Sequence, residues 1–235
     1  MRRLYQAVTV AVSPDASLAF RILLDGKPVR TPSKKVLDLP TRPCAEAVAA
    51  EWSAQREHLD PSTMPLTRLV YSAVGVRGRD GRVREEIAKY VASDLLCYRA
   101  SGPLPLVRRQ TDLWDPVLAW GRNVLGMPLV VTTGVMPVTQ PETARTALAR
   151  TLAEHDPFTL AALFVMTTLM GSALLALAHA HGQLSLKEAW TAAHVDEDWQ
   201  ISQWGEDAEA AARRERRWVE VAAASQLLRL VANTA

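Results

Sequence analysis

The sequence predicts an α+β protein: a small N-terminal β-rich subdomain with two helices over residues 1–82, then a larger multi-helical domain over 83–235 around a buried central helix. Three observations predict it. Val8, Val10 and Val12 alternate with smaller residues, and an Asp25-Gly26 pair follows a second apolar run, so a hairpin closes early. From Thr41 onward the apolar period lengthens from two residues to three or four. An uncharged stretch from Pro157 to Ala178 then supplies a segment apolar on every side.

In the β-rich part, the run from Leu18 to Leu24 returns through Lys27 to Thr31, and Val36 to Leu39 adds a short strand. Pro28, Pro32 and Pro40 keep these strands short and at edges, because proline has no N–H for the ladder. Three to five strands are expected. Thr41 is placed to N-cap a helix through Cys44, Val48 and Trp52, which His58-Leu59-Asp60-Pro61 ends. Leu66, Leu69, Val70 and Val74 mark a second helix. Gly75, Gly78 and Gly81 with Arg77, Arg79 and Arg82 then read as a flexible basic connector, hence the boundary at 82.

In the second part, Val83 to Ser93 is helical and DLLCYRA is ambiguous. A helix over Val107 to Val124 contains Asp115-Pro116 and is readable as one helix or two. The run PLVVTT suggests an extended piece, and helix returns from Pro141 to Glu154. Asp156-Pro157 is a strong helix start, with a capping carboxylate followed by a residue that has no N–H to satisfy. The segment it opens is long enough to cross a bilayer, but no lysine or arginine flanks it closely. A buried core helix ending at Gly182 is the better reading, with no stable membrane insertion. Helices over Leu186 to Trp204 and Glu206 to Leu230 lean on it, with Ile201, Trp204, Ala208 and Ala211 in one stripe.

Composition narrows the function. The chain is 49% apolar and 22% charged with a net charge of +2, balanced enough to exclude a nucleic-acid groove. Cys44 and Cys97 sit in apolar contexts without metal-ligand spacing and read as buried free thiols. GVRGRDGR lacks the Gly-Lys-Ser/Thr ending of a phosphate loop. Ser172 lacks a GxSxG elbow. His194 shares a helical face only with Glu197 or Asp198, and no second ligand cluster accompanies them. An enzyme using this acidic/His site is the alternative to a binding protein. No metal or cofactor is expected.

The acids Asp196, Glu197, Asp198, Glu206, Asp207 and Glu209 precede Arg213, Arg214, Arg216 and Arg217, the order that a helix macrodipole favours. Trp199, Ile201 and Trp204 lie among the acids, which also suits a partner surface with aromatic anchors.

The ordered blocks RTPSKKVLDLPT, AAEWSAQREHLDPSTMPLTRL, SDLLCYRA, VRRQTDLWDPVLAW and AHVDEDWQISQWGEDAEA resemble the ATP synthase F(1) assembly chaperones of the alpha-subunit type, assembly factor 2. The resemblance implies a non-enzymatic protein with a β-rich N-terminal part and a helical C-terminal part. It implies shielding of the free F(1)-ATPase alpha subunit until a beta subunit replaces the chaperone. It also implies a functional acid just after Trp204-Gly205, with Glu206 and Glu209 leading. The candidate partner-binding residues are therefore Asp198, Trp204, Glu206, Asp207 and Glu209. The N-terminus has neither a secretory pattern nor an Arg- and Ser-rich leader, so a bacterial cytoplasmic protein is expected.

Overall fold

A computed structural model describes residues 2–14, 19–76 and 80–232. Leu18 and the connector residues Arg77, Gly78 and Arg79 lie outside the described residues. The chain divides into two compact units. The first takes Met1–Asp80, Asp156–Ala162 and Ala222–Ala235, and the second takes Gly81–His155 and Leu163–Val221. The division is thus not a single cut, because two later stretches return to the first unit.

In the first unit, β1 (Val8–Val12) pairs antiparallel with β2 (Phe20–Leu24). Asp25 (φ 46°) and Gly26 (φ 78°) make the left-handed turn expected of this dipeptide. The Asp25 carboxylate ties the hairpin down by accepting from the N–H of Gln6 and of Ala7. The other edge of β2 is shared by two short strands, β3 (Lys27–Pro28) and β4 (Asp38–Leu39). Ile22, Leu37 and Leu39 are fully buried, and Arg21 pairs with Asp38 at 2.6 Å.

Thr41 N-caps α1 (Arg42–Ala54), accepting from the Cys44 N–H, and donates its hydroxyl proton to the Leu230 carbonyl at 2.7 Å. The carboxylate of Glu51 caps α2 (Pro65–Val76): it accepts from the N–H groups of Leu66 and Thr67 at 2.8 and 2.7 Å. Gln55 holds the intervening turn through the Asp60 N–H and the Thr63 hydroxyl. The block EWSAQREHLDPSTMPLTRL is therefore one self-stapled helix-turn-helix.

The second unit opens with α3 (Asp80–Lys89), which takes up Gly81 and Arg82 of the expected connector. DLLCYRA resolves into a single 3₁₀ turn over Leu95–Cys97 and a two-residue strand, β5 (Tyr98–Arg99). β5 pairs in parallel with β6 (Thr132–Thr133), all that PLVVTT contributes to a sheet. Helix α4 (Leu104–Trp120) runs unbroken through Pro116, so the two-helix option is wrong here. Trp114, Val117 and Leu118 are buried on either side of the proline, and their burial outweighs the missing bond. The helix then widens into a π turn over Gly121–Leu125, where an added β-carbon would lie 2.7 Å from Leu174 Cδ1. Helix α5 (Glu142–Ala153) follows as expected.

Two continuity expectations are corrected. The apolar segment is not one helix: α6 (Pro157–Met170) stops at Gly171, φ +68°, and α7 (Ala173–Ala180) restarts from Ser172 as N-cap. Asp94 reinforces the break, its carboxylate accepting from the N–H of Leu96 and of Leu174 at 3.1 and 3.3 Å. Leu186 to Trp204 is likewise two helices, α8 (Leu186–Ala193) and α9 (Val195–Trp204), parted at His194. Helix α10 (Ala208–Ala232) closes the described chain. No described helix is long and apolar enough to cross a membrane.

Candidate functional site

The stretch that carries both the acids and the tryptophans is the turn joining α9 to α10. Asp196, Glu197 and Asp198 occupy the first turn of α9, where unpaired N–H groups and the macrodipole favour negative charge. Two of the three are tied to neighbouring helices. Asp196 Oδ1 accepts from Gln110 Nε2 of α4 at 2.7 Å, and Asp198 Oδ1 meets Arg214 Nη1 of α10 at 2.5 Å. Arg109 of α4 stacks its guanidinium over the Trp199 ring at 5.1 Å. Glu197 is exposed and faces the turn.

Helix α9 ends at Gly205, whose φ of 84° and ψ of 173° lie in a region that only glycine occupies cheaply. The new direction begins at Asp207, whose Oδ1 accepts from the Ala210 N–H at 2.8 Å and so caps α10. Glu209, in the first turn of α10, stands 3.9 Å from Arg213. Glu206 and Asp207 are both exposed, and Trp204 shows 79% of its surface to solvent. The Trp204 ring therefore does not lean on the core with Ile201, and the expected Ile201–Ala211 stripe is broken. Its physical cause is Gly205: the stripe assumed one helical phase, and the glycine resets it.

A hollow of about 330 Å³ opens at this turn. Glu197, Ile201, Trp204, Glu206 and Asp207 line it, and Arg213, Arg214 and Arg217 of α10 line it as well. Of the five predicted residues, Trp204, Glu206 and Asp207 are thus brought together. Glu209 and Asp198 lie outside this lining, Asp198 being engaged with Arg214. The arginines, absent from the predicted set, enter because Asp198 and Arg214 face each other across the helix junction. The site pairs an exposed aromatic with acids and bases, the grouping that anchors and orients a protein partner.

His194 does not join the acids as a site residue. It is buried, its ring lies 3.9 Å from that of Trp190, and its Nδ1 bonds the Trp190 carbonyl at 2.8 Å. Burial pulls its pKa down, against smaller raising effects from that carbonyl and from Glu197. Among the described residues no cluster of three His, Cys, Asp or Glu is placed to hold a metal. Cys44 and Cys97 are buried free thiols, and burial pushes both up to about 12, so neither is poised as a nucleophile.

Two of the other blocks, SDLLCYRA and VRRQTDLWDPVLAW, brace this region. Trp114 is fully buried and donates Nε1–H to the Ala192 carbonyl at 2.7 Å. Gln110 accepts from the Ala100 N–H while holding Asp196. Arg99 bonds Asp115 at 2.5 Å. Sequence reading passed over Gln110 and Asp94 because a lone polar residue on a helix or turn carries no signal of its partner.

Known proteins share this architecture. The family model for the ATP12 chaperone protein matches residues 2–122, more than half of the chain. The acidic turn lies beyond that match. The structure superposes on the Atu1473 protein from Agrobacterium tumefaciens with a TM-score of 0.93 at 49% identity, covering 98% of this chain and 86% of that one. Atp12 from Paracoccus denitrificans gives a TM-score of 0.91 at 37% identity over 98% of each chain. An aspartate-to-lysine mutant of the Paracoccus protein matches equally well, over 98% of this chain and 97% of that one. On these grounds the chain belongs to the ATP12 chaperone family.

Proposed function

We propose that this chaperone serves assembly of the ATP synthase F(1) sector in the bacterial cytoplasm, and that its client is the free alpha subunit. It covers the alpha surface destined for beta and yields when beta binds over a larger area. The reading needs no cofactor and no catalytic step. The observation that carries the site assignment is Trp204, a large aromatic 79% exposed beside Glu206 and Asp207. Exposure of one aromatic is common on its own; here the ring stands among acids and arginines, the composition that partner anchors favour. The surrounding acids give direction and speed to the encounter, and the aromatic gives the anchor.

The test is binding of purified protein to isolated alpha and isolated beta subunits, with suppression of alpha aggregation followed by light scattering. Binding and suppression specific to alpha are expected. Glu206→Lys and Glu209→Lys should weaken both while leaving helical circular dichroism unchanged. Equal behaviour toward alpha, beta and an unrelated aggregating protein would remove the alpha assignment. Loss of helicity in the variants would return these acids to a purely structural role.

A further inference from the structure

The two helices that meet at Gly205 are held very differently. Three contacts fix the start of α9 to its neighbours. The His194 ring lies 3.9 Å from that of Trp190, Gln110 Nε2 donates to Asp196 at 2.7 Å, and the Arg109 guanidinium covers Trp199. Helix α10 begins without such support. Over residues 208–220 it buries no side chain, and Val221 is its first buried residue. Hollows of about 330 and 690 Å³ flank these turns, and Arg214 lines both, so it is the wall they share. One turn further along, the Trp218 ring meets that of Trp190 edge-on at 5.4 Å. Nearer the junction, Arg214 Nη1 reaches Asp198 Oδ1 at 2.5 Å and ties these turns of α10 to the firm first turn of α9. The two side chains are 24% and 37% exposed, whereas those of the Arg213–Glu209 pair within α10 are 53% and 87% exposed. Partial burial spares the pair across the junction much of the screening that makes surface pairs weak.

We infer that Asp198 and Arg214 are positioning residues: their ion pair fixes the angle between α9 and α10 and so presents Trp204, Glu206 and Asp207 to the client, which Asp198 itself does not touch. This rests on the chaperone reading above and concerns the same turn. Gly205 is what gives the pair its task. A glycine at the junction imposes no single direction on the chain that follows, because its backbone has more conformations open to it than any other residue. The Asp207 cap starts α10 but acts within that helix, through the Ala210 N–H. Direction is left to Arg214. A carboxylate already held in a charge-assisted bond of 2.5 Å must give up that bond before serving a partner, which makes Asp198 a support rather than a contact.

The test compares Asp198→Asn, Arg214→Gln and the double variant with the parent. Two quantities are read: binding to isolated F(1) alpha subunit, and amide hydrogen exchange over residues 208–217. Asparagine keeps the shape of the aspartate side chain, and the urea midpoints of all three variants should stay close to that of the parent. Each single variant should bind about tenfold more weakly, the factor expected when one molecule in ten holds the competent geometry. The double variant should bind no more weakly than either single one, because the two residues act as a unit. Exchange over residues 208–217 should quicken in all three, while residues 221–231 keep the parent rates. Arg216→Gln, which removes the same charge outside the hollow, should bind and exchange as the parent does. Binding losses that add in the double variant would show Asp198 touching the client and would overturn the inference. Unchanged exchange would overturn it as well, and so would faster exchange with undiminished binding. A parent that does not bind alpha, with variants that still exchange faster, would overturn the proposed client and support the pair's hold on the junction.

Discussion

Replacing Asp94 by asparagine should change how stability depends on pH, by an amount that follows from its surroundings. The carboxyl is about 1% exposed, and burial, the largest influence, pushes it from 3.8 up to about 6. Bonds from Ser172, Leu96, Leu174 and Ala173 pull the other way and only partly offset it. The native pKa is raised above the unfolded one, so the sign is fixed. Below pH 3.8 both states hold the proton and the group costs nothing. Between the two values the unfolded chain loses its proton first, and stability falls with rising pH. Above about 6 the full cost of roughly 3 kcal/mol is present. About 2 kcal/mol of this falls between about pH 4.5 and 7.5. An asparagine at this position has no such titration. It offers one acceptor where Leu96 and Leu174 address two different oxygens, a pH-independent loss of about 1–3 kcal/mol. The exposed carboxyls whose pKa is lowered, Asp25, Asp60 and Glu188, titrate alike in both proteins and cancel in the difference. Urea unfolding of parent and Asp94→Asn at several pH values checks this. The stability difference, parent minus variant, should fall by about 2 kcal/mol from about pH 4.5 to 7.5. Parallel profiles would refute a raised pKa, and a difference that grows with pH would show that the hydrogen bonds outweigh burial.

Three further outcomes are expected. Trp204→Ala should cost under about 0.5 kcal/mol in urea unfolding, since the ring is mostly in water, yet weaken client binding; a large loss of stability would mean that the ring is packed. Gly205→Ala forces an L side chain into φ 84°, ψ 173° and should cost about 1–3 kcal/mol, measured by thermal unfolding, with an unchanged melting temperature counting against the geometry. Thr41→Val removes both the cap on α1 and the bond to Leu230, and about 1–3 kcal/mol of stability should go with them; Thr41→Ser should restore most of it.

Much of the fold was legible because its signals are local. The Asp25-Gly26 turn, the Thr41 cap and the Asp156-Pro157 start each act over a few residues, and each formed as chemistry requires. Continuity was harder. Gly171-Ser172 is a helix stop and start in plain view, but unbroken apolarity on both sides hid it. His194 has no breaker beside it, and its break is visible only with its ring against Trp190. Pro116 errs the other way, a breaker overruled by buried neighbours. For the site, the acids after Trp204-Gly205 could be named from the chain alone. The outward turn of Trp204 could not, because it depends on one glycine's torsion angles. Arg214 was missed as a member because its partner Asp198 lies across a junction whose angle no periodicity encodes.

The bond from Thr41 to Leu230 has a consequence for biosynthesis. The unit formed by the first residues also contains the last turns of α10, where Ala224, Leu227 and Val231 are buried. A ribosome delivers the β-hairpin early, but the unit to which it belongs stays open until the final helix emerges. Gly81–His155 can begin to order before then. The N-terminal part of this chaperone is thus the first made and among the last completed, and for most of its synthesis it presents an unfinished apolar surface of its own.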